Sequence, residues 1–268
     1  MLLSASTAPA ALASPNRVPD VTVEFWLIKL LAVTMGETAA DYLAVNLGFG
    51  LTVTSLIMTG ILVVALALQF AQKRYVPWAY WLAVVLISVV GTLITDNLVD
   101  NFGVRLQTTT IAFTVLLAAT FAVWYASERT LSIHTIVTTR REIFYWLAIL
   151  FTFSLGTAAG DLVAETFDIG YLTTGFLFGA VIVFIALGYF AFGLDAILAF
   201  WLAYILTRPL GASFGDLLSQ PVEYGDLGFG TTFTSIIFLG CIVALVLYMS
   251  LKKDESEEGH RRGRQNPA

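Results

Sequence analysis

Apolar runs of roughly twenty residues, each enough to cross a bilayer as a helix, recur along the chain, and the same polar signature closes four of them. Those four open on an aromatic residue followed by Trp-Leu: Phe25-Trp26-Leu27, Tyr80-Trp81-Leu82, Tyr145-Trp146-Leu147 and Phe200-Trp201-Leu202. Ten residues beyond each tryptophan stands a glycine, and five further on an aspartate. The pairs are Gly36 and Asp41, Gly91 and Asp96, Gly156 and Asp161, Gly211 and Asp216. A register kept through four copies is an internal repeat. A second apolar run follows each aspartate, so each repeat contributes two helices. The pattern predicts eight, at about 24–46, 50–72, 77–99, 106–127, 143–165, 171–192, 196–219 and 229–251.

Two helices per repeat return the chain to its starting side, so the repeats are parallel rather than inverted. They fall at about 23–75, 76–128, 143–194 and 196–251. The expected fold is all-α: a polytopic membrane protein with eight transmembrane helices from four parallel two-helix repeats, in pseudo-fourfold or two-by-two arrangement. Composition supports this. The chain is 58% hydrophobic and 12% charged, where a soluble protein has about 25% charged residues. The short alternating segments of a membrane β-barrel are missing. Residues 1–22 read as a disordered tail and residues 252–268 as a charged cytoplasmic tail, also disordered.

Loop charge orients the chain. Arg17, Lys73, Arg74, Arg129, Arg140, Arg141, Lys252, Lys253, Arg261, Arg262 and Arg264 all fall on the side where the repeats begin. The other side has Arg105 as its one cation, beside Asp100, Asp168, Glu223 and Asp226. The positive-inside rule then places both termini in the cytoplasm. The partners expected are the lipid bilayer and a small cation or proton, with no nucleic acid.

The repeated aspartates carry the chemistry. Fifteen residues at about 1.5 Å each put an aspartate about 22 Å beyond its tryptophan, in the outer half of the membrane if the tryptophan marks the cytoplasmic interface. An ionised carboxylate at such depth costs about 2.5–3.5 kcal/mol and faces the protein interior. Asp41, Asp96, Asp161 and Asp216, at equivalent places in parallel repeats, would converge on the pseudo-symmetry axis and share protons or hold a cation. The structural alternative has each aspartate bonding the start of the next helix and locking its hairpin.

The neighbours break the symmetry. Glu37 stands one turn before Asp41, where the other repeats have Thr92, Thr157 and Ala212; Thr34 lies a turn further back. Arg208, followed by Pro209, stands two turns before Asp216 and needs a partner, for which Glu37 or an aspartate qualifies. Lys29 lies three residues from Trp26 and reads as an interface anchor. Gly36, Gly91, Gly156 and Gly211 suit close helix approach. Trp26, Trp81, Trp146 and Trp201 suit interface anchoring or packing. Gly-Phe-Gly leads into Thr52 after the first aspartate and into Thr232 after the last. Those hydroxyls, with Thr34, Thr92 and Thr157, are candidate polar lining.

Other chemistry is excluded or unsupported. Cys241 is the single cysteine, so there is no intrachain disulfide, thiolate-held zinc or iron–sulfur cluster; it reads as a small packed hydrophobe. His134 and His260 fall outside the expected spans, which excludes a buried bis-histidine haem. No P-loop or HExxH motif occurs, and no enzyme activity is expected.

Four Trp-Leu starts, each heading a two-helix unit over residues 23–251, give the chain its resemblance. It is similar to a bacterial family of uncharacterised membrane proteins with four tandem repeats, each of two transmembrane segments with a signature tryptophan. The resemblance implies the architecture and a bacterial inner membrane. It implies no activity. From the residues, the expected function is a small cation transporter or channel, with proton coupling as one form of it. Its site would be Asp41, Asp96, Asp161, Asp216 and Glu37, tuned by Arg208, with no cofactor beyond a bound cation of unknown identity. The alternative is a non-transporting scaffold or sensor with structural aspartates. A third reading is a lipid or small apolar molecule bound between helices.

Overall fold

The computed structural model describes residues 16–167, 169–220 and 227–265, and eight helices run through them: α1 (Val23–Asp41), α2 (Leu51–Phe70), α3 (Pro77–Asp96), α4 (Leu106–Glu128), α5 (Thr139–Thr166), α6 (Gly170–Phe192), α7 (Ala196–Ser219) and α8 (Thr231–Gln265). The odd helices start where local chemistry starts them. Side chains of Thr22, Thr138 and Asp195 accept the backbone N–H of Phe25, Arg141 and Leu198, and Pro77 opens α3. After Asp41 and Asp96 the helix widens into one π turn, Tyr42–Asn46 and Asn97–Asn101. The links from α1 to α2 and from α7 to α8 turn on Gly48, Gly50, Gly228 and Gly230, with φ of +72°, +73°, +69° and +79°. Only glycine adopts that backbone without strain.

The odd helices form a closed inner ring in which α1 packs on α3, α3 on α5, α5 on α7 and α7 on α1. Each even helix lies outside this ring, chiefly against the inner helix of the following repeat: α2 on α3, α4 on α5, α6 on α7, and α8 back on α1. The arrangement is therefore pseudo-fourfold, and the two-by-two alternative drops out. Burial follows the same division. Of their most apolar stretches, α3, α5 and α7 bury 50–67%, and α2, α4, α6 and α8 only 6–17%. The outer helices turn side chains such as Phe176, Phe184, Phe190 and Phe192 outward, and Cys241 is exposed on α8 rather than packed.

Seven of the eight helices are long and apolar enough to cross a membrane. The exception is α1, which carries Glu24, Lys29, Glu37 and Asp41. Its polarity is absorbed inside the ring, where Lys29 and Glu37 are buried.

Both expected tails need correction where they are described. Residues 16–22 are docked, not disordered. Arg17 N–H donates to the Ile136 carbonyl (3.0 Å), Tyr75 N–H to the Asn16 carbonyl (2.9 Å), and Val18 is buried in the core. This strap crosses the tryptophan end of the bundle. The Arg17 guanidinium pairs with the fully buried carboxylate of Glu142 at 2.7 Å, which also accepts from Gln69 Nε2 at 3.0 Å. Arg17→Ala should cost about 1.5–3 kcal/mol, the worth of hydrogen bonds to a charged group, read as a lower midpoint in thermal unfolding. At the other terminus α8 continues as helix to Gln265, because Lys, Glu and Arg are good helix formers despite their charge. Residues 1–15 and the acidic-side residues Asp168, Glu223 and Asp226 lie outside the described residues.

Candidate functional site in the inner ring

Numbered from its tryptophan, each inner helix turns toward the axis the residues at −1, +3, +7, +11 and +15, a stripe of i, i+4 neighbours. Stacking four such stripes gives successive layers. The first holds Phe25, Tyr80, Tyr145 and Phe200; the second Lys29, Val84, Ile149 and Tyr204; the third Val33, Ser88, Phe153 and Arg208; the fourth Glu37, Thr92, Thr157 and Ala212; the fifth the four aspartates. Layers two to four are buried throughout.

Cyclic packing holds the layers in register. In the first, Phe25 meets Trp81 at 5.7 Å, Tyr80 meets Trp146 at 5.5 Å, Tyr145 meets Trp201 at 6.2 Å and Phe200 meets Trp26 at 5.7 Å. Every repeat thus places its leading aromatic against the tryptophan of the next. Trp81, Trp146 and Trp201 are buried, so these three pack and do not anchor an interface, while Trp26 is half-buried. The glycines obey the same rule. A Cβ on Gly36 would strike Ser88, on Gly91 Phe153, on Gly156 Arg208 and on Gly211 Val33, each closer than 3.0 Å. All four obstacles belong to the third layer of the adjoining inner helix. Close helix approach, expected of these glycines, is their role.

Arg208 fills the centre. It is fully buried, and its Nη2 lies 3.0 Å from Glu37 Oε2. The same nitrogen donates to Thr157 Oγ1 at 2.9 Å and to the Thr92 hydroxyl, while Thr92 Oγ1 donates to Glu37 Oε2 at 3.1 Å. One guanidinium from α7 therefore ties together the fourth-layer residues of the other three inner helices. Ala212, small at that level of α7, leaves Arg208 room to enter from the turn below. Its guanidinium carbon also lies 5.5 Å from the centre of the Phe153 ring.

Lys29 is no interface anchor. It is fully buried and reaches across to α7, donating to the Tyr204 carbonyl at 2.9 Å and to the Thr207 hydroxyl. Its Nζ lies 4.0 Å from the centre of the Tyr204 ring, and among the described residues no carboxylate pairs with it. Distance from the helix end suggested snorkelling. The better signal is the stripe, since Lys29 lies three steps of four residues before Asp41.

The four aspartates lie within one another's electrostatic reach at one end of the ring. Glu37 is within electrostatic reach of all four, Asp161 is within reach of Arg208, and Asp216 feels the other three. Asp216 is buried and the other three half-buried. Among the described residues, none of these carboxylates accepts a hydrogen bond or joins an ion pair, and Asp41 and Asp96 cap nothing at their π turns. None of their oxygens is sealed in, so they face open space at this end. The hairpin-locking alternative lacks the bonds that it requires. Among the described residues, no three His, Cys, Asp or Glu side chains come close enough to share a metal ion.

Of the candidate lining residues, Thr92 and Thr157 lie on the axis. Thr34 is off it, its hydroxyl donating to the Leu30 carbonyl of its own helix at 3.1 Å. Thr52 ties α2 to the second π turn, bonded to Asn97 Oδ1 and Asn101 Nδ2 at 3.2 Å each, and Thr232 is exposed on α8. Away from the carboxylates, an apolar groove of about 690 Å³ runs between α1, α6 and α7 near Trp26 and Tyr189.

A family model described as Repeat of Unknown Function (DUF347) matches residues 25–75, 79–130, 144–193 and 199–254, one match per repeat. No curated protein and no solved structure matches the chain.

Proposed function

Because the chain belongs to this repeat family, whose description carries no activity, we propose a function from the residues themselves: transport of a small cation along the axis of the inner ring. The four aspartates form an open carboxylate vestibule, and the Arg208–Glu37 layer closes it. On the loop charge, the tryptophan end would face the cytoplasm of a bacterial cell and the vestibule would open on the outer face of the inner membrane.

One observation carries this reading. Four carboxylates at the same repeat position share one field, and among the described residues no protein group hydrogen-bonds any of these side chains. Carboxylates that bond to nothing hold no hairpin together, and four at one depth repel each other, so a purely structural role does not account for them. Their spacing suits protons or a hydrated cation, since a dehydrated metal ion needs several oxygens within about 2.0–2.6 Å. The Arg208 guanidinium blocks the axis to cations while it holds Glu37. Opening therefore requires the Arg208–Glu37 pair to part, and protonation of Glu37 or arrival of a cation beside it would part them.

Asp161→Asn keeps the shape and removes the charge. In proteoliposomes bearing an imposed ion gradient, this variant should lower cation or proton flux at least tenfold while its thermal unfolding stays that of the wild type. Unchanged flux in all four single Asp→Asn variants would sink the proposal. Severe destabilisation with no wild-type flux would move the assignment to a scaffold.

A further inference from the structure

The hydroxyls in the first two layers play no part in the vestibule and are not needed for packing. Within the first layer, Phe25 and Phe200 occupy the positions equivalent to Tyr80 and Tyr145, so the site fills well without an oxygen. Yet Tyr80 Oη and Tyr145 Oη lie 2.5 Å apart, fully buried, at the short end of O–H···O contacts. One layer deeper, Tyr204 is buried with its hydroxyl unpartnered, within electrostatic reach of both. On the surface side, Tyr75 meets the Tyr80 ring edge-on at 5.7 Å, and its oxygen accepts the Trp81 indole N–H at 3.2 Å. Inward from Tyr204, the third layer holds two further orphaned atoms, Ser88 Oγ and Arg208 Nε, one layer short of Glu37. Buried polar atoms of this kind are the usual seats of bridging water.

We propose that Tyr75, Tyr80, Tyr145 and Tyr204 form a hydroxyl relay that passes protons between the tryptophan-end surface and the Glu37–Arg208 layer, which makes the proton the ion that traverses the axis. The relay rests on the axial pathway proposed above. In each step one O–H bond forms as another breaks. Tyr75 takes a proton from the surface and passes its own to Tyr80 through water. Tyr80 passes its own to Tyr145, Tyr145 its own to Tyr204 through water, and Tyr204 its own through water to Glu37, which, freed from Arg208, becomes a carboxylic acid. No electrons move, and rotation about each C–O bond resets the chain. The charged groups facing the relay are Lys29 and Arg208 on its inner side, and Glu142 and Asp20 on its outer side.

The test is the double variant Tyr80→Phe/Tyr145→Phe. Removing both hydroxyls leaves no buried donor unpaired, which is nearly neutral for stability, and Phe25 and Phe200 show that the layer accepts the rings. With a pH-sensitive dye inside proteoliposomes under an imposed potential, proton entry should slow at least tenfold while thermal unfolding is unchanged. Proton entry at the wild-type rate in the double variant would overturn the relay and leave the axial pathway standing. A wild type that carries another cation but no protons would do the same. A wild type that carries no ion at all would remove the pathway, and the relay with it.

Discussion

Arg208→Met should destabilise the protein by about 3–5 kcal/mol, the cost of breaking one side of a buried ion pair. Methionine keeps the stem that packs on Gly156 and removes the guanidinium. Thr92 and Thr157 would not be orphaned, since their hydroxyls also donate to the Ser88 and Phe153 carbonyls at 3.3 and 3.5 Å. Glu37 would be left as a buried carboxylate facing four others, and that is where the loss arises. Adding Glu37→Leu to Arg208→Met should therefore restore most of the stability, because an apolar pair can replace a buried ion pair at little cost. It should not restore transport. Thermal unfolding in detergent separates the two effects: a single variant as stable as wild type would remove Arg208 from the centre of the structure.

The second large effect concerns the glycines. Gly91→Ala would place a Cβ 2.8 Å from Phe153 Cβ and 3.2 Å from the Ser154 backbone nitrogen, neither of which moves without shifting α5. Overpacking of this kind costs about 1–3 kcal/mol, and backbone contact puts this case at the upper end. Gly60→Ala and Gly240→Ala, on the outer helices with nothing within 4 Å, should instead be neutral or gain up to about 1 kcal/mol of helix propensity. Equal unfolding midpoints for Gly91→Ala and Gly60→Ala would contradict the ring packing.

Much of this could be read before any coordinates. The repeat specified eight helices and put Asp41, Asp96, Asp161 and Asp216 at equivalent places of parallel copies, with a shared centre as the expectation. The partner of Arg208 was legible as Glu37 or an aspartate, because a buried guanidinium needs a carboxylate. Which outer helix covers which inner helix was not legible: hydropathy describes a helix and its lipid exposure, not its neighbour. Lys29 was misread because closeness to Trp26 was weighed above its place on the aspartate stripe. The strap at Asn16–Thr22 escaped notice because its partners, among them Tyr75, Ile136 and Glu142, are more than fifty residues away and it has no periodicity of its own. Thr52 and Thr232 resembled lining residues by their motif, but the helices that bear them stand outside the ring.

The closure of α8 on α1 also sets an order of events during synthesis. Of these eight helices, α1 leaves the ribosome ahead of the rest; it bears Glu24, Lys29, Glu37 and Asp41, and lipid alone is a poor host for it. Its outer cover begins at Thr231, which at about 5–20 residues per second emerges roughly ten to forty seconds later. Through that interval α1 must be sheltered by the insertion machinery or by α3 as it arrives. The earliest of the eight to be made is the last to be covered, because its outer partner is the last of them.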